Sequence, residues 1–224
     1  GSIDWLCLPR FDSDACFAGL LGTPEQGRWV LGPAAPARRV SRDYRPGSLV
    51  LETVHEVEGG VLRVTDAMPP RDDRPDVVRL AECLEGTVEV RTELRPRFGY
   101  GRDLPWVRAT DDGVAVIAGP DALRFHADVP VEVRGAELRA AFALRRGERA
   151  TFALTWHASH EPAPPTIDVV RAVADTDRWW RAWSDRCRYE GPWREAVVRS
   201  LVTLKALTYA PTGGIVAAPT TSLP

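Results

Sequence analysis

Thr87-Val88-Glu89-Val90-Arg91-Thr92-Glu93-Leu94-Arg95-Pro96-Arg97 alternates along its length, with Val88, Val90, Thr92 and Leu94 on one face of an extended chain and Glu89, Arg91, Glu93 and Arg95 on the other. A helix advancing about 100° per residue would scatter both sets around its circumference, so the stretch reads as a strand between a core and water. The same period recurs on both sides. Upstream, Leu49 to Val57 and Val61 to Asp66 flank Glu58-Gly59-Gly60, a hairpin whose glycines supply positive φ, and Glu85-Gly86 reads as the turn of another. Downstream, strands at 114–118, 122–127, 137–144 and 150–156 are separated by Asp112-Gly113, Gly119-Pro120 and Arg146-Gly147. Strand after strand with short turns makes the chain mainly β, an antiparallel β-sandwich.

The pattern stops at Glu161-Pro-Ala-Pro-Pro-Thr-Ile167, where three prolines in four residues favour an extended linker. Asp168 to Arg186 then reads as a linker helix, with Val169, Val170, Val173, Trp179, Trp180 and Trp183 among charges and Thr166 as its cap. The three tryptophans are expected to glue it to a neighbouring unit. Gly191-Pro192 opens a second helix running to about Ala210, closed by Pro211 and Gly213-Gly214. Its apolar residues cover more than one face, so one sheet cannot bury them, which implies a truncated chain or an obligate partner surface; truncation is the preferred reading. The domains divide as 1–160, a β-sandwich; 161–190, a linker with a helix; and 191–224, a further helix and loop.

The chain of 224 residues is 44% hydrophobic and 27% charged, ordinary globular values that exclude collagen-like, disordered and disulfide-scaffold classes. A net charge of -2 offers no bulk attraction to nucleic acid or to an anionic membrane, and no apolar run approaches the ~18 residues of a membrane span, so neither is an expected partner. Cys7, Cys16, Cys83 and Cys187 form no C-x-x-C pair and read as reduced thiols of a cytoplasmic protein, with a single Cys7–Cys16 bridge the minority alternative that spacing leaves open.

Candidate chemistry is sparse. His157, His160 and Glu161 lack an obvious third or fourth zinc ligand, with only His55 and His126 left as nitrogen donors, so no metal and no cofactor is expected. Arg10 with Asp12, Ser13 and Asp14 forms either a capped turn, the favoured reading, or an acidic cluster that positions a substrate hydroxyl. Arg71-Asp-Asp-Arg-Pro-Asp76 reads as a solvated loop. Trp5, Trp29 and Trp156 sit in or beside strand-like runs and should pack, whereas Trp106 in Leu104-Pro-Trp-Val107 is the candidate for stacking on a sugar ring at the surface. No G-x-S-x-G, no glycine-rich phosphate loop and no nucleophile with an evident base is present, so no catalytic residue is assigned.

Longer strings carry a resemblance: Gly1-Ser-Ile-Asp-Trp-Leu-Cys-Leu-Pro-Arg-Phe-Asp-Ser13, Val64-Thr-Asp-Ala-Met-Pro-Pro70, Pro96-Arg-Phe-Gly-Tyr-Gly101, Tyr189-Glu-Gly-Pro-Trp-Arg194, and Leu204 through Gly-Gly-Ile-Val-Ala-Ala-Pro-Thr-Thr-Ser-Leu-Pro224. Across essentially its whole length the chain resembles the bacterial glucoamylase and trehalase-like proteins of glycoside hydrolase family 15. The resemblance implies a supersandwich-like N-terminal β-domain, a linker helix and the first helix of a truncated (α/α)6 barrel. Family members usually carry a strand-like segment before the position of Gly1, and continue past that of Pro224 into a Trp-x-Arg-Asp sugar-binding string and two catalytic glutamates.

The implied function is therefore the non-catalytic N-terminal part of an inverting hydrolase of α-glucosides, trehalose or α-1,4/1,6-glucans, which meet the protein through the missing barrel. The alternative is a carbohydrate-binding or scaffolding module, or a homo-oligomer joined through the exposed helix. Two loops are placed at the mouth of the parent's active site: Arg10, Phe11 and Asp12 from the sandwich, and Thr220, Thr221 and Ser222 after the last helix.

Overall fold

The protein is described by a computed structural model covering residues 1–70 and 74–220. The short strands β1 (Ser2–Ile3), β2 (Leu6–Cys7) and β3 (Ala15–Phe17) lead into β4 (Arg28–Pro33), β5 (Arg39–Tyr44), β6 (Leu51–Val57) and β7 (Gly60–Ala67). The long strand β8 (Asp76–Arg95) follows, then β9 (Trp106–Thr110), β10 (Gly113–Ala118), β11 (Asp121–Ala127), β12 (Glu132–Arg134), β13 (Glu137–Arg145) and β14 (Arg149–Ala158). Among the described residues two α-helices follow, α1 (Val169–Ser184) and α2 (Arg194–Ala206).

Strand β8 organises the sandwich because it belongs to both sheets. Its first half runs between β7 and β14 in a large antiparallel sheet of order β5-β6-β7-β8-β14-β11-β10-β9, and its second half runs between β4 and β13 in the facing sheet. The alternation at Thr87–Arg97 is the C-terminal half of this strand, with Val88, Val90, Thr92 and Leu94 all buried. Upstream the core-facing residues are Val77, Arg79, Ala81 and Cys83, one residue out of phase with that later set.

The phase change falls at Leu84, the residue left out of the ladder just before Glu85-Gly86, which the sequence presents as a hairpin turn. It is instead a bulge inside a continuous strand: Gly86 has φ 65, and the ladder to β7 shifts register between Val61 and Leu62. One inserted residue swaps inward for outward, which lets both halves of β8 face the same core. A Cβ at Gly86 would lie 1.9 Å from the Gly59 carbonyl oxygen, so the bulge requires glycine. The hairpin at Glu58-Gly59 forms as expected, with Gly59 at φ 92.

The core is dominated by fully buried Trp29, Phe17, Phe125, Phe152 and Leu31, with Phe125 edge-on to Trp29 at 5.7 Å. The first half of β8 is covered on its outer side as well, where Val169, Ala172 and Val173 of α1 pack on Val78, Leu80 and Ala153. Asp168 caps α1 by accepting from the Arg171 amide at 3.0 Å, the role the sequence reading gave to Thr166. Asp76, expected in a solvated loop, opens β8, is 1% exposed and accepts from the Thr155 hydroxyl; residues 71–73 of that stretch lie outside the described residues.

Helix α2 starts and stops inside its expected limits, because Pro192 lies in the preceding turn and Leu207–Val216 doubles back on itself. Tyr209 N–H donates to Gly214 O at 2.8 Å and Val216 N–H to Leu207 O at 2.9 Å. Arg199 ties α2 to the sandwich by donating to Ser48 O at 2.9 Å and stacking over Tyr44 at 4.7 Å. Among the helix's residues only Val202 is fully buried, while Trp193 is 70% exposed, so the surplus apolar surface inferred from the sequence is present. Trp180 is buried in α1 with Trp179 and Trp183 edge-on to it. Among the described residues no helix is long and apolar enough to cross a membrane.

Candidate functional site

A groove of about 730 Å3 separates the loop after β2 from the turn after α2. Its sandwich wall is Pro9, Arg10 and Phe11, and its opposite wall is built by Leu207–Pro211 with Val216 and Pro219. The first wall is a closed local turn. Ser13 N–H donates to Arg10 O and Arg10 N–H to Ser13 Oγ, each at 3.2 Å, and Arg10 Nε donates to Asp12 Oδ1 at 2.8 Å. Arg10's hydrogen bond holds the Asp12 carboxyl below the usual carboxylate range, so Asp12 is ionised at neutral pH.

The walls meet through Tyr209. Phe11 is edge-on to the Tyr209 ring at 5.4 Å and the Arg10 guanidinium lies over that ring at 5.6 Å. These contacts span almost the full sequence and fix how far the two loops can part. Trp156 contributes to the groove from β14, with its indole oriented by donating Nε1–H to Asp121 at 2.9 Å, and Arg74 adds a second guanidinium. Among the described residues the lining offers two guanidinium groups, the hydroxyls of Thr208 and Tyr209, and aromatic faces, and no carboxylate. That set suits holding a hydroxylated ligand, whereas acid and base steps in glycoside cleavage call for a pair of carboxyls.

The structure thus brings Arg10 and Phe11 to one site, with Asp12 paired behind them, and Thr220 follows the groove residue Pro219 and is half-buried. Thr221 and Ser222 lie outside the described residues. Trp106 is elsewhere, 61% exposed on the edge strand β9. His157 is buried at the end of β14 with Nδ1 2.9 Å from Ala158 O, and His160 follows in the turn that enters the linker. Sequence reasoning missed Arg74, Trp156 and Tyr209 as neighbours. Tyr209 sits at the end of an apolar helix string and Trp156 in a strand, so nothing in local periodicity joins them.

None of the four cysteines is joined in a disulfide, and Cys16 and Cys83 are buried; burial pushes both of those thiols up, away from the reactive thiolate.

The chain is thus an antiparallel β-sandwich with a strand shared between its sheets and helix α1 on its outer face. The solved structure of a bacterial glucoamylase complexed with acarbose shares this fold, at TM-score 0.63 and 12% identity over 92% of this chain and 37% of that one. The trehalase-like, N-terminal family matches residues 1–137, and the chain belongs to that family. It is 35% identical to a trehalase of Mycolicibacterium smegmatis and 34% to one of Mycobacterium tuberculosis, all of this chain aligning with 37% of each. A trehalase of Thermoplasma volcanium is 27% identical over the same share. The chain therefore spans little more than a third of the curated relatives it matches.

Proposed function

We propose that this chain is the N-terminal, non-catalytic part of an inverting glycoside hydrolase of family 15 that acts on an α-glucoside, trehalose or an α-1,4/1,6-glucan. The observation that carries the reading is the alignment of the whole chain with 37% of trehalases from several organisms. The sandwich at 1–160 is the scaffold, 161–190 is the linker, and 191–224 is the beginning of the catalytic barrel. Arg10, Phe11 and Asp12 with Thr220 border the substrate site, a reading supported by the groove that Arg10, Phe11 and Pro219 line; Thr221 and Ser222, assigned to the same border from the sequence, lie outside the described residues. Four cysteines outside any disulfide support a cytoplasmic setting. The exposed side of α2 faces the rest of the barrel, and drives self-association into a homo-oligomer when the chain stands alone.

The test compares glucose release from trehalose, maltose and starch by the 224-residue chain with release by the same chain joined to the sequence that follows it in its gene. The chain alone should release none, and the joined protein should release the inverted anomer. Turnover by the chain alone that a point mutation in it abolishes would overturn the reading.

A further inference from the structure

We propose that the outer face of the large sheet carries a second carbohydrate-binding surface, apart from the groove, in which Trp106 stacks on a neutral gluco-configured oligosaccharide and Asp112 and Thr110 accept or donate hydrogen bonds to its hydroxyls. Strand β9 is the edge of this sheet and its side chains alternate. Val107 turns inward and packs against the core, while Trp106, Arg108 and Thr110 share the outer face. Over β7, β8 and β14 that face is covered by α1, and Arg124 of β11 is covered by the linker, donating to Pro164 O. The linker's Ala163 borders the same face beside Arg124. A pocket of about 270 Å3 opens there, lined by Thr110, Asp112, Ala115, Arg124 and His157 among others.

Three features give this surface the chemistry of sugar recognition. First, the Arg108 guanidinium sits over the Trp106 ring at 5.5 Å, yet the residue is 61% exposed, which leaves the opposite ring face open. A flat aromatic face held by a cation on its far side matches the axial C–H face of a glucopyranose, whose hydroxyls are equatorial. Second, Asp112 is anchored and yet accessible. Its carboxylate pairs with the buried Arg124 guanidinium and accepts from Thr110 Oγ1 at 3.3 Å, while its side chain stays 64% exposed. An oriented carboxylate with free lone pairs is a strong acceptor for sugar hydroxyls. Third, the opening beside β9 is floored by the small side chain of Ala115, and Trp106 and Thr110 are four residues apart on one strand face, about 13 Å, the span of a short oligosaccharide.

The charge balance selects the ligand. Asp111 and Asp112 offset Arg108 and Arg124, so the surface has no net pull on phosphate and favours a neutral sugar. The site is independent of the hydrolase reading, because it lies on the sandwich and binding can be measured on this chain without turnover.

The experiment titrates maltoheptaose into the 224-residue chain by calorimetry. Saturable binding is expected for the wild type, with the dissociation constant raised at least tenfold by Trp106→Ala and by Asp112→Ala, and within threefold of wild type for Trp106→Tyr, which keeps a stacking face. Val40→Ala, exposed on β5 at the opposite edge of the sheet, should leave it unchanged. Failure of the wild type to bind, equal binding by Trp106→Ala, or loss with Val40→Ala and not with Trp106→Ala would each overturn the proposal. So would a Trp106→Ala variant whose only change is its oligomeric state, since Trp106 would then serve a protein contact.

Discussion

Replacing Arg79 with methionine should be among the most damaging single changes in the sandwich, although the side chain is nowhere near the groove. Arg79 is 0% exposed and sits on the core face of β8. Its Nε donates to Asp66 Oδ1 at 2.7 Å and its Nη2 to Asp66 Oδ2 at 3.3 Å, directly across the ladder from β7. Nη1 then crosses the core to Trp29 O in the facing sheet at 2.9 Å, Nη2 reaches Gly1 O at 3.1 Å, and the guanidinium lies 5.0 Å from the Trp29 ring centre. One side chain therefore staples the two sheets.

Methionine restores most of the volume, so the cavity contribution is small, but the Asp66 carboxylate, 16% exposed, loses its counter-charge and the Trp29 carbonyl its donor. Removing one partner of a buried pair costs about 3–5 kcal/mol, a large part of the ~5–15 kcal/mol that stabilises a typical protein. At about 2–4 °C per kcal/mol for a chain of this size, Tm should fall by roughly 6–20 °C. Urea unfolding followed by tryptophan fluorescence, with thermal melts, measures both. The double variant Arg79→Met with Asp66→Leu should recover most of the loss, because replacing both members with apolar groups leaves no orphan charge. A loss under about 1 kcal/mol for Arg79→Met, or a double variant as weak as the sum of the singles, refutes the argument.

Acidification should weaken the fold through His55, whose pKa is held at about 4 by burial first and then by the N-terminal amine and Arg42. Unfolded, it protonates near its ordinary 6.5, so stability present above that pH is lost as the pH falls toward about 4, by about 3 kcal/mol in all; His55→Leu should flatten the urea midpoint against pH in that window, and an unaltered slope counts against it. Tyr209→Ala removes the edge contact with Phe11 and the stacking of Arg10, together about 1–2 kcal/mol, so hydrogen exchange at the Tyr209–Val216 turn should quicken roughly 5- to 30-fold with Tm unchanged. Equal exchange in the two proteins would mean that the turn is held by its own hydrogen bonds.

Most of the fold was legible because the sandwich buries one face of nearly every strand, and a buried face writes period two. The strands at β6, β7, β10, β11, β13 and β14 fall close to where the alternation and the glycine turns put them. Two features broke the rule for physical reasons. The first half of β8 reads Asp76-Val-Val-Arg-Leu-Ala, without alternation, because α1 covers its outer side and both faces are buried. Gly86 imitates a turn because a bulge and a turn ask the same of the backbone, a residue that accepts positive φ; only pairing partners distinguish them, and those are set by β4 and β13 far along the chain. The N-cap of α1 slipped by two residues for a similar reason, since Thr166 and Asp168 are both competent acceptors.

The groove was half legible, and the missing half follows from how it is assembled. Arg10 and Asp12 read locally as a capped turn or an acidic cluster and were placed at a site, with Phe11, only through family strings; a turn with an internal ion pair is unremarkable until Tyr209 is placed against it. That placement depends on Arg199 holding α2 to Ser48 and Tyr44, and on Arg45 bridging Glu52 of β6 at 2.8 Å and Asp177 of α1 at 3.7 Å. Each is a contact between residues that local sequence windows never see together. Single exposed ion pairs contribute little to stability, but these partly buried ones fix the angle at which the helices leave the sheet. Their consequence is geometric: they set where the chain after α2 turns back, and so which sandwich loop it meets.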